Sequence, residues 1–216
     1  MKRTRLSANE RKSVILANAR AIFAQSGYES ARTQDIAKRS GVSEALMYRH
    51  FPSKAALYRA VLREVIREQD ASYELLSLQE LTGRALVRNL QTYFRIAASP
   101  EKSGVKEGFR LLLASLVGDT SFATLVYRRA QRLMNHRIAL ALQNAREAGD
   151  IAGREISVKN TSLFTEHVGT LLNILSADVD RTPYDGSGEE LVRDAVWFCC
   201  RGVGFTDEAI GRHLED

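Results

Sequence analysis

The chain has 216 residues, 44% hydrophobic, 26% charged and 7% aromatic, a globular composition that excludes disordered, collagenous and low-complexity classes. Its 31 Lys and Arg exceed 26 Asp and Glu for a net charge of +5, and the excess is unevenly placed: residues 1–63 hold 13 basic against four acidic groups (+9), whereas residues 64–216 sum to −4. A basic first third on an acidic body points to a polyanionic partner for one part of the chain only.

Prolines occur only at 52, 100 and 183, and no stretch alternates apolar and polar residues between turn signals, so the pattern predicts an all-α chain of about nine helices. Ser7-Ala8-Asn9-Glu10 has capping-box spacing and opens a first helix that should stop at Gly27, with Ile15, Ala19, Ile22 and Phe23 on one face. A short helix follows from about Thr33 to Arg39, burying Ile36 and Ala37. Gly41 supplies a positive φ in the turn after it, and Ser43 caps a third helix that runs to about Phe51. Pro52-Ser53 opens a fourth, in which Leu57, Val61 and Val65 recur at i, i+4 and i+8.

Beyond Leu81 the helices lengthen. Leu86, Leu90, Tyr93, Phe94 and Ala97 share one face, and after Pro100 so do Val105, Phe109, Leu112, Leu113 and Leu116. A long helix from about Thr120 to Ala148 ends at Gly149-Asp150. Two more are predicted at about 157–177 and 188–203, the second opened by capping-box spacing at Ser187 and Glu190. Leu163, Phe164, Val168, Leu171, Leu172, Ile174 and Leu175 cover most of the circumference of the first. Leu191, Val192, Ala195 to Cys200 and Val203 do the same for the second. A helix apolar all round needs cover all round, so these two helices are expected to close a C2 dimer as a four-helix bundle with a second copy.

Two short helices joined by a Gly-containing turn, inside a basic three-helix unit, are the arrangement that sets a second helix in the major groove of DNA. Here Gly27-Tyr28, Asp35-Ile36-Ala37, Gly41-Val42-Ser43, Tyr48-Arg49-His50-Phe51 and Ser53-Lys54 resemble the N-terminal domain of the TetR family of transcriptional regulators, over about residues 10–60. The resemblance implies a helix-turn-helix DNA-binding domain at 1–55 and a helical effector-binding and dimerisation domain at 56–216. It also implies a homodimer on a near-palindromic double-stranded operator, usually a repressor, released by a small-molecule effector.

The DNA-binding residues implied are Arg32, Thr33, Gln34, Ser43, Glu44, Ala45, Tyr48, Arg49, His50 and Lys54. Tyr48 and Lys54 match phosphate-contacting positions, which suits a phenol and an ammonium because such contacts set register without reading sequence. Ile36, Ala37, Val42, Leu46 and Phe51 are assigned to the core. Arg32 stands where the family commonly has Thr; it either reaches a phosphate, with Thr33 taking the cap, or is a solvated arginine. Glu44 departs from the family's basic or polar residue. It either serves the helix dipole at the N-terminus or accepts from a cytosine amino group. Ala45 is small enough to meet a thymine methyl, and Arg49 reads guanine or holds phosphate. The tail Lys2, Arg3 and Arg5 is either solvated or laid in the minor groove.

No nucleotide-binding, zinc or nucleophile motif is found, and His50, His136, His167 and His213 lack ligand spacing, so no catalytic residue, metal or cofactor is expected. Tyr93, Phe94, Phe109, Arg110, Tyr127, Met134, Glu166 and His167 are the candidate effector contacts, or else simply fill the core. Cys199 and Cys200 are adjacent and make no disulfide framework; no apolar run approaches the ~20 residues that cross a bilayer, and the basic N-terminus leads into no uninterrupted apolar segment. The expectation is a cytoplasmic protein without a membrane partner. Turnover would instead mark an enzyme, and indifferent binding to any polyanion a membrane-surface or RNA-associated module.

Overall fold

The structure, a computed structural model, describes residues 7–77, 80–98, 103–118, 120–176, 182–186 and 188–214. Among them ten helices follow in chain order, and the one extended pairing is an isolated bridge between Ile151 and Phe205. The tail Lys2, Arg3 and Arg5, Pro100, Ser187 and the side chain of Val105 lie outside the described residues.

Helix α1, Ala8–Ser30, starts on the capping box its sequence announces: Glu10 N–H donates to Ser7 Oγ at 3.2 Å, and Ser7 N–H donates to Glu10 Oε2 at 2.7 Å. Gly27 breaks it at φ 72°, but the chain does not leave the helix there; one further turn resumes to Ser30. That turn returns Tyr28 to the body, where its ring lies 6.2 Å from Phe23 and 4.9 Å from Tyr58. Burial of aromatic surface thus outweighs the break.

Helices α2, Thr33–Arg39, and α3, Glu44–His50, are joined by a turn in which Gly41 takes φ 67° and Val42 N–H donates to Ala37 O at 3.1 Å. Ser43 Oγ accepts from Leu46 N–H at 3.2 Å, the cap expected of it. The buried phase of α3 differs by one residue from expectation: Met47 is buried and Leu46 only partly so. Met47 and Phe51, four apart, share the face toward Ile36 and Val42, which leaves Leu46 at its margin.

Helix α4, Lys54–Ser77, lies along α1 and outlasts it. Ile15, Ala19, Phe23, Ile36, Met47, Phe51, Leu57, Val61 and Val65 form one core, and it continues into Leu111 and Leu112 of α6, Ser103–Val117, and Phe122, Ala123 and Val126 of α7, Ser121–Glu147. A second core joins α5, Gly83–Ala98, to α8, Val158–Leu175, and α9, Gly188–Val203, through Val87, Phe94, Leu172, Val196 and Cys200. On α5 the buried stripe is Gly83, Val87, Gln91, Phe94 and Ala97; Leu86, Leu90 and Tyr93 flank it half-buried.

Polar side chains lock the layers. Arg20, an α1 residue buried to 7% exposure, holds Glu68 of α4 in a fork at 2.6 and 2.8 Å and sits 3.2 Å from Glu107 of α6. Arg129 of α7 makes a second fork to Asp70 of α4 at 2.6 and 2.5 Å. Asn173 of α8 donates to Ala97 O of α5 at 2.7 Å.

The tenth helix, α10, Asp207–His213, was not expected: its seven residues are too few for a period to register, whereas the equally short α2 and α3 are marked by the Gly41 turn and the motifs around it. Its sign is Thr206, whose hydroxyl accepts from Ala209 N–H at 3.2 Å. It is held by Asp150 at the end of α7, whose carboxylate accepts from Arg212 at 2.6 Å and lies 2.8 Å from His213 Nε2.

The outward faces of α8 and α9 remain uncovered. Phe164 is 59% and Phe198 70% exposed, and with Trp197 they border a groove of about 850 Å³. No single helix among the described residues is long and apolar enough to cross a membrane.

Removing the Asp150 carboxylate leaves the half-buried His213 and the Arg212 guanidinium of α10 without their shared partner. Asp150→Ala is expected to cost about 2 kcal/mol, less than a fully buried pair because Arg212 is exposed. Urea unfolding checks this, and Arg212→Ala should cost far less.

Candidate nucleic-acid interface and effector site

All ten candidate DNA-binding residues come out on the surface of the α2-turn-α3 unit and the start of α4. Arg32, Gln34, Ser43, Ala45, Tyr48 and Arg49 are exposed; Thr33, Glu44, His50 and Lys54 are half-buried. The unit can present them because Ile36, Ala37, Met47 and Phe51 anchor its inner side.

The cap of α2 is not the one expected. Arg32 occupies the N-cap position, where an arginine side chain has no acceptor to offer, and Thr33 is already helical. The Thr33 hydroxyl instead donates to Glu44 Oε1 at 2.5 Å, and Tyr48 OH donates to Thr33 Oγ1 at 3.2 Å. Glu44 therefore does not cap α3, a task Ser43 performs. Lys54 Nζ donates to Glu29 O at 3.0 Å and lies 4.7 Å from the centre of the Tyr28 ring, which fixes the first turn of α4 against the end of α1. Lys12 stands similarly over Phe51, 5.7 Å from its centre. Sequence reasoning missed both aromatic seats; Gly27 followed by Tyr28 was the available sign.

In the helical body, four helices bring together part of the candidate effector set. Tyr93 of α5 donates its hydroxyl to Glu166 Oε2 of α8 at 3.1 Å, and its ring lies 6.4 Å from Phe109 of α6. Tyr127 of α7 is 3.1 Å from His167 Nε2, with ring centres 5.7 Å apart. Gly169 makes room for the Tyr93 ring, since any side chain there would collide with it. Burial pushes the Glu166 carboxyl above its ordinary range, partly offset by the Tyr93 hydrogen bond. Burial, with the Glu166 charge adding, pushes the Tyr127 phenol to about 12. The remaining candidates are elsewhere: Phe94 is fully buried in the second core, Arg110 is exposed, and Met134 lies two turns beyond Tyr127 on α7. His167 is exposed at the edge of the cluster rather than within the core.

Burial pushes the thiols of Cys199 and Cys200 to about 11 and about 12, so both stay protonated near neutral pH. Among the described residues no group of three or more His, Cys, Asp or Glu could hold a metal ion.

A glycine-turned pair of short helices with an exposed basic and hydroxylic surface, seated on an otherwise helical body, defines a helix-turn-helix DNA-binding architecture. Residues 15–61 match the family model of bacterial regulatory proteins, tetR family. The chain is 44% identical over 59 residues to the HTH-type transcriptional activator FasR of Mycolicibacterium smegmatis, covering 27% of each protein. It is 42% identical over 65 residues to the HTH-type transcriptional regulator RutR of Escherichia coli, covering 30% of each. The matched stretch thus spans less than a third of these relatives' length. Beyond it the likeness is one of fold. A tetR-family regulator from Rhodococcus RHA1 superimposes with a TM-score of 0.68 at 18% identity, over 94% of this chain and 100% of that one. The ketosteroid transcriptional regulator KstR2 of Mycobacterium tuberculosis gives 0.67 at 17%, with the same coverage.

Glu166 generates a pH prediction. Its folded pKa is raised above 4.5, so the folded state holds the proton more tightly than the unfolded chain, and the group's contribution to stability is lost as pH rises from 4.5 through the folded value. Glu166→Gln keeps an acceptor for Tyr93 and removes the titration. The variant should gain stability relative to the wild type between pH 4 and 7, and denaturant unfolding at both pH values checks the sign.

Proposed function

We propose that this chain is a cytoplasmic, sequence-specific DNA-binding transcriptional regulator, a ligand-responsive repressor rather than an enzyme. It acts as a homodimer on a palindromic operator. The observation that carries the reading is the α2-turn-α3 unit, with Tyr48, Arg49, Ala45 and Lys54 outward and a tetR-family match in register with it. In this reading residues 1–55 bind DNA and 56–216 dimerise and bind the effector. Arg32, Thr33, Ser43, Tyr48, His50 and Lys54 lie toward phosphates, Gln34, Ala45 and Arg49 face base edges, and Glu44 stands among them bonded to Thr33.

The second copy covers the exposed faces of α8 and α9. Phe164, Leu171, Leu175 and Phe198 are large apolar side chains left in water by a single chain, on the two helices whose sequences are apolar on more than one side. Closing that face sets the two recognition helices about one DNA turn, ~34 Å, apart.

The effector enters the Tyr93, Phe109, Tyr127, Glu166 and His167 cluster. A largely buried carboxylate with one hydroxyl partner suits a ligand that brings a hydrogen-bond donor or a positive charge. Helix α4 is the lever: Arg20 and Glu68 tie it to α1, and Asp70 and Arg129 tie it to α7. An effector that favours a different recognition-helix spacing lowers operator affinity by its differential binding, ~1–3 kcal/mol.

Two measurements test this. Selection of a random-duplex library at physiological salt should enrich one palindrome with the wild type and none with the Tyr48→Ala, Lys54→Ala double variant; an unenriched wild type refutes the reading. In sedimentation, the wild type should run as a dimer and Phe164→Asp, Phe198→Asp as a folded monomer. That monomer should bind the selected palindrome at least ~100-fold more weakly, because the two half-sites are no longer linked.

A further inference from the structure

We propose that Glu44 is an internal stand-in for DNA phosphate, holding the hydroxyls of Thr33 and Tyr48 away from DNA and so setting operator affinity below what the interface could reach. The proposal rests on the DNA-binding reading above and adds a regulatory residue to that same surface.

The proton inventory carries the argument. An ionised carboxylate only accepts, so Thr33 must donate its single hydroxyl proton to Glu44 Oε1, at 2.5 Å. Thr33 Oγ1 can then only accept, and Tyr48 OH donates to it at 3.2 Å. Both hydroxyl protons on this part of the surface are thereby spent inside the protein, on a chain that ends in an anion. Phosphate oxygens are also pure acceptors. For Tyr48 or Thr33 to donate to the backbone of DNA, the hydrogen bonds to Thr33 and Glu44 must be given up, and Glu44 is then left as an unpartnered negative charge facing the phosphates. Lys54 differs: its ammonium has three protons, and the bond to Glu29 O uses one.

Two other roles for Glu44 are weaker. Ser43 already supplies the side-chain cap of α3, and the helix dipole, which also favours an acid in this first turn, asks for no bond from Thr33. A carboxylate half-buried against Thr33 is also turned from solvent, whereas a cytosine reader must extend into the groove. Exchange of donors between Glu44 and phosphate acts equally on every sequence, because the backbone is the same everywhere. Glu44 therefore lowers operator and non-operator binding together, and shortens residence on non-operator DNA.

The test uses full-length protein, the selected palindrome and an unrelated duplex of equal length, with affinities measured across a salt series. Glu44→Gln should tighten binding to both duplexes by a similar factor, about three- to fivefold at physiological salt, as suits one partly exposed charge. The slope of log K against log salt should steepen by up to ~0.9. The mechanism runs through Thr33, so the same substitution in a Thr33→Val background should gain markedly less. Glu44→Ala serves as a second carboxylate-free variant, and thermal unfolding verifies that each variant is folded. An equal gain in both backgrounds would show simple charge repulsion and overturn the proposal. So would unchanged affinity, or weakened palindrome binding with preference lost at one base pair, which would make Glu44 a base reader. A wild type that binds no duplex selectively would overturn the DNA-binding reading itself, and the wild-type arm alone reveals it.

Discussion

A guanidinium buried in a helix must be answered by carboxylates, and Arg20 sets that condition at the centre of this molecule. The cost of taking the charge out of water is several kcal/mol, and a buried Arg without partners is not tolerated. Its two acids come from different helices, Glu68 on α4 and Glu107 on α6, so satisfying one side chain of α1 fixes the positions of both. Burial pushes the Glu107 carboxyl up despite the nearby Arg20 charge. The site therefore does little for net stability, and its effect is to specify one arrangement: the unit that carries α2 and α3 can sit on the body in the orientation that closes this triad. The α2-turn-α3 unit and the helical body are coupled through that geometry and through the continuous first core.

The two ends of α4 are consequently unequal. Near its start, the helix is seated by Lys54 against Tyr28 and the Glu29 carbonyl, in the same core as α2 and α3. About four turns along, Glu68 and Asp70 bind arginines of α1 and α7. Asp70 and Arg129 link α4 directly to the helix that carries Tyr127, two residues before Arg129. In the proposed function, a change around Tyr127, His167 and Glu166 has a short route of packed, charge-paired side chains to the proposed recognition helix. A bistable arrangement of those pairs, rather than a continuous bend, is what such a linkage requires.

Much of this was legible in the sequence, and the reasons are local. Caps at Ser7 and Ser43 and the Gly41 turn act within four residues, so the boundaries of α1 and α3 at their N-termini follow from side-chain chemistry alone. The helical periods of α5 to α9 were visible because each element spans at least four turns. What stayed hidden depends on contacts far apart in the chain. Arg20 reads as a surface residue until Glu68 and Glu107 are seen beside it. The extra turn past Gly27 exists because Tyr58 offers Tyr28 a partner, and α10 exists because Asp150 awaits Arg212 and His213. Of the candidate effector residues, which faced inward was decided by crossing angles that periodicity does not encode, so Phe94 went to the core and His167 to the surface.

The charge asymmetry takes on a sharper meaning once the acids of the first 63 residues are located. Glu10 closes a capping box, which also draws its carboxyl below the usual range, and Asp35 sits in the first turn of α2, where the helix dipole favours it. Glu29 is exposed beyond the Gly27 break and offers its backbone carbonyl to Lys54. The acids of Glu10 and Asp35 serve the fold at helix ends, and Glu29 does so through its backbone alone. Glu44 alone among the four is bonded to side chains of the proposed recognition surface, and Ser43 relieves it of any capping duty. A segment of +9 attracts any polyanion, and at that charge unselective binding is the hazard for a protein that must find one site. An anion set among the phosphate-facing hydroxyls weakens the sequence-independent part of binding, which leaves base contacts a larger share of the affinity that remains.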